Sequence, residues 1–104
     1  MRRPAYLLHR GDALEAYAGW PAPAAIISDG AYGVRGFHGD TTGTEGLAEW
    51  YRPHVEAWSR LAAPATTLWF WNTEVGWASV HPLLAERGWD YVQAMPLSQV
   101  IACT

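Results

Sequence analysis

Two short apolar runs, each ended by polar or turn-forming residues, predict buried strands. The first spans residues 24–28 and is followed by an acid and a glycine, and the second, 66–71, is almost entirely β-branched and aromatic. Continuous apolar runs of this length are typical of parallel strands that are buried on both faces. Two other β-prone runs, 5–9 and 89–95, predict further strands towards the two ends of the chain.

Helical periodicity separates these runs. Apolar residues at three- and four-residue steps predict a long helix from residue 44 or 45 to about 62, with Pro53 inside it as a kink or a division. Strong helix formers predict a first helix over 13–18, and residues 75–87, followed by Gly88, predict a third. The apolar stripe of the long helix is expected to pack in the core, and it comprises Leu47, Trp50, Tyr51, His54, Val55, Trp58 and Leu61.

The order of these elements predicts the fold class. Segments of helical length connect successive strands, which favours an α/β fold with a mostly parallel sheet and helices on both faces, in a single domain over residues 1–104. A glycine-rich loop, 30–46, follows one strand and is typical of a functional lid or a disordered segment. Since parallel strands end at the same edge, residues 29–32 and 72–74 are expected to lie together, where open α/β sheets bind ligands.

Composition narrows the functional classes. The net charge is −3, and all seven basic residues are arginines, so the chain lacks the broad positive field of free-standing nucleic-acid binders. One cysteine gives no disulfide framework, and the apolar runs are too short for a signal peptide or a membrane span, so we expect a cytoplasmic protein without membrane contact. The four histidines lack liganding spacing, and no metal site is expected.

The stretch Asp29-Gly30-Ala31-Tyr32 carries the clearest candidate chemistry. At a strand end, a carboxylate that accepts hydrogen bonds and a ring that offers a stacking face suit a flat polar ring with an amine. An ordinary Asp-Gly turn with Tyr32 packed nearby is the structural alternative. Asp12 also has two interpretations, either the N-cap of the first helix or a carboxylate that contacts a ligand.

Three segments resemble the N-terminal part of S-adenosylmethionine-dependent DNA amino-methyltransferases, which methylate adenine N6 or cytosine N4. They read LLHRGDALE (7–15), IISDGAYG (26–33) and TTLWFWN (66–72), and the resemblance covers roughly residues 6–95. It implies a partial Rossmann-like methyltransferase sheet, S-adenosylmethionine as cofactor and DNA as partner. Asp29 and Tyr32 match the ends of the family's catalytic Asp-Pro-Pro-Tyr motif, and Gly30 and Ala31 replace its two prolines.

The resemblance also implies a role for each site residue. Asp29, with a backbone carbonyl from Gly30-Ala31, would accept the hydrogens of the target amine, and Tyr32 would stack on the flipped-out base. The amine would then attack the methyl group directly. Asp12 is similar to the acid that contacts the adenosyl group in related enzymes, so it is the candidate cofactor-binding residue.

Two departures from the family define the alternatives. The Phe-x-Gly-x-Gly cofactor loop does not occur in the sequence, and the tail 96–104 resembles nothing in the family, so we expect a truncation or a change of reading frame near Met95. The chain is then either a catalytic part that needs a second chain for the cofactor, or a non-catalytic remnant. A third alternative is an interaction module based on its seven tryptophans, and an incomplete sheet would favour self-association.

Overall fold

The computed structural model of the chain describes residues 6–30 and 46–95. Helices and strands alternate along these residues, so the predicted α/β class is confirmed at this level. The loop residues 31–45 and the tail 96–104 lie outside the described part of the chain. The elements are helix α1 (Ala13–Ala16) with a 3-10 turn (Tyr17–Gly19), strand β1 (Ala25–Ser28), helix α2 (Leu47–Leu61), strand β2 (Thr67–Phe70) and helix α3 (Glu74–Glu86).

Strands β1 and β2 form a two-stranded parallel sheet. Ala25 pairs with Thr67 at one end of the sheet, and Ser28 pairs with Phe70 at the other. The backbone N–H of Trp71 donates to the Ser28 carbonyl at 2.9 Å and continues the ladder just beyond β2. The predicted parallel direction is confirmed, and both strands end at the same edge of the sheet.

The sheet is buried on one face. Ile26, Leu68 and Phe70 pack against the core, whereas Ile27 is 72% exposed and Trp69 is 48% exposed. Because successive side chains of a strand point to opposite faces, the uninterrupted apolar runs concealed this alternation. Within residues 6–30 and 46–95, the predictions of strands buried on both faces and of helices covering both faces are therefore wrong.

The predictions of two outer strands from β-prone runs are also wrong for the residues that the structure describes. Residues 6–9 and 89–95 have no regular secondary structure, and Tyr6, Leu7 and Leu8 are almost fully exposed. β-propensity records how well a side chain fits a pleated and half-buried surface, and it does not supply the neighbouring strand that such a surface needs.

The core lies between α2, α3 and the buried face of the sheet. The predicted stripe of α2 is confirmed, with Trp50, His54 and Leu61 only half-buried at its margin. Pro53 does not divide α2, which is continuous. Proline has no N–H group, so the carbonyl four residues earlier lacks its helical donor. Because Pro53 lies on the exposed side of the helix, water can hydrate that carbonyl. The fully enclosed core cluster consists of Leu47, Tyr51, Val55, Trp58, Val80, Leu83 and Leu84.

Local capping determines where the short helices start and stop. Asp12 accepts a hydrogen bond from the Leu14 N–H at 2.9 Å and caps α1, and Thr73 accepts one from the Gly76 N–H at 3.0 Å and caps α3. Gly88 follows α3 with a φ of 87°, as expected of a helix-terminating glycine. The Thr73 cap starts α3 at Glu74, close after the end of β2 at Phe70.

Candidate functional site

At the edge of the sheet where β1 and β2 end, one tyrosine of α2 contacts the residues that follow both strands. Asp29 and Gly30 follow β1, Asn72 follows β2, and Tyr51 of α2 lies between them. Asn72 Nδ2 donates a hydrogen bond to the Tyr51 hydroxyl at 3.1 Å. Gly30 approaches the same hydroxyl so closely that a Cβ atom at position 30 would lie 2.8 Å from it. The prediction that the two strand ends lie together is confirmed for these residues.

A cavity of about 500 Å³ opens beside this edge. This volume falls in the range of small-molecule sites, roughly 300–1,000 Å³. Asp29 and Gly30 line the part of the cavity next to β1, and α2 contributes one long wall. Six of the remaining lining residues carry aromatic rings, and they are Tyr17, Trp20, Trp50, Tyr51, His54 and Trp58.

The aromatic walls are held by contacts among the rings themselves. The Trp50 and His54 rings are stacked, with centroids 4.9 Å apart and planes 23° apart. Tyr17 and Trp20 meet edge to face at 5.2 Å. These contacts hold the rings in place along the cavity, and a cavity lined by aromatic rings suits a planar ligand.

A short chain of hydrogen bonds runs behind one wall of the cavity. Trp58 Nε1 donates to the Tyr17 hydroxyl at 3.1 Å, and the Tyr17 hydroxyl lies 3.1 Å from His54 Nδ1. Burial lowers the pKa of His54, against a smaller opposing effect of the Asp12 charge. Burial likewise raises the pKa of Tyr17. Both side chains are therefore neutral at neutral pH.

The structure describes part of the predicted site. Asp29 and Gly30 lie at the edge of the cavity, whereas Ala31 and Tyr32 lie outside the described residues, so the stacking role of Tyr32 stays a prediction. Asp12 caps α1, as one of its two interpretations required, and its role as a cofactor contact stays a prediction.

His54 was missed by the sequence analysis, which assigned it to core packing with the rest of the apolar stripe. The only signal in the sequence is that it is the one side chain at a stripe position whose ordinary pKa lies near neutral pH. A polar group at such a position needs a partner from elsewhere in the fold, and Tyr17, 37 residues away, supplies it.

Metal ligation and membrane insertion find no support in residues 6–30 and 46–95. Among them, no three His, Cys, Asp or Glu side chains lie close enough together to hold a metal ion. None of the helices described there combines the length and apolar character needed to cross a membrane.

Comparisons with family models, curated proteins and solved structures found no match to this chain.

Proposed function

We propose that the cavity binds the target base of a DNA amino-methyltransferase, with adenine or cytosine as the base. One observation carries the proposal: Asp29 lines the edge of a cavity rich in aromatic rings, at the carboxyl end of a parallel strand. A flat base fits between the aromatic walls, and its exocyclic amine can donate a hydrogen bond to the carboxylate. The same corner is the part of the chain that resembles the family's catalytic motif.

The chemistry of the corner follows from its charge. A carboxylate that accepts a hydrogen bond from an exocyclic amine increases the electron density on the amine nitrogen. It also attracts the positive charge that develops when this nitrogen attacks an electrophile. Asp29 would thus orient and activate the amine, while the Trp20 and Trp50 rings keep the base in place.

In this proposal S-adenosylmethionine would supply the methyl group when bound. Asp12 is the candidate contact carried by the resemblance, and its Oδ1 atom is already bound to the Leu14 N–H as a helix cap. The glycine-rich cofactor loop of the family does not occur in the sequence. We therefore propose that methyl transfer requires cofactor-binding residues beyond 6–30 and 46–95, for example on a second chain.

Nucleoside binding tests the base-binding part of the proposal. We expect the chain to bind deoxyadenosine or deoxycytidine, which carry an exocyclic amine, more tightly than thymidine, which has none. Asp29→Ala should weaken that binding by about tenfold, the effect of losing one charge-assisted hydrogen bond. Asp90→Ala, which removes an exposed carboxylate outside the cavity lining, is the matched control and should bind like the unmodified chain.

Methyl transfer tests the enzymatic part. The chain is mixed with labelled S-adenosylmethionine and DNA, with and without lysate proteins, and transfer is expected only when the lysate supplies the missing partner. A chain that binds the nucleoside but supports no transfer in either mixture is a non-catalytic remnant. Equal binding of thymidine and deoxyadenosine contradicts the base pocket and favours the tryptophan-rich interaction module, whereas no effect of Asp29→Ala contradicts the amine contact of Asp29.

A further inference from the structure

His54 has one ring nitrogen engaged and one directed to accessible space. Nδ1 lies 3.1 Å from the Tyr17 hydroxyl, and within the described residues Nε2 has no hydrogen-bond partner. No buried side-chain nitrogen or oxygen in this part of the chain lacks a partner, so Nε2 is reached by solvent. Because the imidazole also lines the cavity, Nε2 is available to a ligand there.

The hydrogen-bond chain bears on which nitrogen carries the proton. An indole N–H can only donate, so the Tyr17 oxygen accepts from Trp58. The Tyr17 hydroxyl still has its own proton to donate, and His54 Nδ1 lies 3.1 Å from it. When Tyr17 donates to Nδ1, the proton of the neutral imidazole lies on Nε2, and each bond in the order Trp58 to Tyr17 to His54 polarises the next.

The ring is also fixed in orientation. The Tyr17 bond holds one edge, and the Trp50 ring stacks on one face at 4.9 Å. Trp58 lies on the same helix, with its ring centroid 6.1 Å from that of His54. A donor held in this way loses little conformational freedom when a ligand binds, so its hydrogen bond contributes more fully to affinity.

We propose that the Nε2–H group of His54 donates a hydrogen bond to a ring acceptor of the base in the cavity. This inference rests on the proposed function and adds a second recognition point to it. Asp29 accepts from the exocyclic amine, and His54 donates to a ring nitrogen that flanks the amine. Adenine and cytosine both carry an amine beside an acceptor nitrogen, so the pair fits the bases that amino-methyltransferases modify.

Deaza analogues identify the acceptor. In adenine two ring nitrogens, N1 and N7, flank the amine, and 1-deazadeoxyadenosine and 7-deazadeoxyadenosine each lack one of them. One of the two analogues should bind the unmodified chain about tenfold more weakly than deoxyadenosine, the effect of one hydrogen bond. In His54→Phe, which keeps a ring but has no donor, this discrimination should disappear.

Matched variants separate recognition from folding. His54→Gln retains an N–H donor and should bind deoxyadenosine within about threefold of the unmodified chain, whereas His54→Phe should bind about tenfold more weakly. Thermal unfolding of both variants shows whether any loss of affinity is a loss of folded protein. Nitrogen NMR of the imidazole, recorded without ligand, should show the proton on Nε2, and Tyr17→Phe should allow the other tautomer to appear.

The outcomes distinguish the two proposals. If Asp29→Ala weakens binding while His54→Phe and the deaza analogues bind like their references, the role of His54 is overturned and the base pocket stands. A proton on Nδ1 in the unmodified chain also overturns the role of His54. If His54→Phe weakens binding but Asp29→Ala does not, the amine contact fails and the His54 contact stands. Absence of binding of both deoxyadenosine and deoxycytidine by the unmodified chain overturns both proposals.

Discussion

Asn72 donates a hydrogen bond to the Tyr51 hydroxyl at 3.1 Å and so connects the end of β2 to α2. Gly30, at the end of β1, packs against the same hydroxyl. The Tyr51 side chain is almost completely buried, with 1% of its surface exposed, and its ring meets Phe70 at 5.1 Å. One buried phenol therefore contacts both strand ends at the edge of the cavity.

Substitution Gly30→Ala should destabilise the fold by roughly 1–3 kcal/mol, as overpacking of a close contact does. The added Cβ would lie 2.8 Å from the Tyr51 hydroxyl and 3.4 Å from Trp50 Cζ3, and the buried Tyr51 ring has little room to move. Chemical denaturation gives the free energy of unfolding that checks this. Gly19→Ala, where a Cβ meets nothing within 4 Å, is the control and should change stability by less than about 0.5 kcal/mol.

Removal of the hydroxyl should relieve that clash. In the Tyr51→Phe background, Gly30→Ala should cost clearly less than it costs alone, which a double-mutant cycle measures as a coupling free energy. Equal costs in both backgrounds would show that the hydroxyl does not limit the space at Gly30.

Thr73→Ala should destabilise the protein by about 1 kcal/mol because the Gly76 N–H at the start of α3 loses its side-chain acceptor. Thr73→Ser retains a hydroxyl in the same place and should be close to the unmodified chain in thermal unfolding. A similar loss in both variants would assign the effect to the methyl group of Thr73 instead of the cap.

His54 predicts a pH dependence of stability. Burial lowers its pKa below the ordinary value of 6.5, so between the two values the unfolded chain binds more protons than the folded one. The contribution of neutral His54 to the free energy of unfolding is therefore complete above the ordinary pKa. It is lost as the pH falls through the ordinary pKa towards the lower pKa of the folded chain. Asp12, whose charge acts on His54, opposes this effect, and Tyr17 stays neutral over the whole interval.

Denaturation of the unmodified chain from roughly pH 7 to 5 should thus show a decrease in unfolding free energy that His54→Gln reduces. The pH profile of the His54→Gln chain is the reference, because it contains the titration of every other group. Parallel pH profiles for the two chains would contradict the lowered pKa of His54.

Asp12 can be tested for its two roles separately. Asp12→Ser keeps a hydrogen-bond acceptor at the N-cap of α1 and removes the carboxylate, whereas Asp12→Ala removes both. We expect Asp12→Ser to stay within about 0.5 kcal/mol of the unmodified stability and Asp12→Ala to lose about 1 kcal/mol. Weaker S-adenosylmethionine binding by the stable Asp12→Ser chain, in the presence of the second chain, would support the cofactor role.

The sequence predicted the relationships that depend on neighbouring residues and on the rules of parallel sheets. The strand before Asp29, the strand before Asn72 and the meeting of their ends follow from short apolar runs joined by a helical crossover. Capping by Asp12 and termination at Gly88 follow from local backbone chemistry.

Side-chain burial and side-chain contacts between distant segments could not be predicted in this way. The exposure of Ile27 and Trp69 depends on which face of the sheet has a partner, and an apolar run carries no record of that. His54 had the spacing of a core residue, and only its contact with Tyr17, far away in the sequence, gives it a polar function.

The parallel pairing of β1 with β2 has a consequence for the order of folding. Ala25 meets Thr67 across a segment that contains all of α2, so the pairing must close a long stretch of chain, whereas the turns of α2 and α3 form from near neighbours. We expect the helical wall of the cavity to form before β1, which precedes Asp29, pairs with β2. A ligand that contacts both should slow amide hydrogen exchange at Thr67 and Trp71, which bond across the sheet, more than exchange within α2.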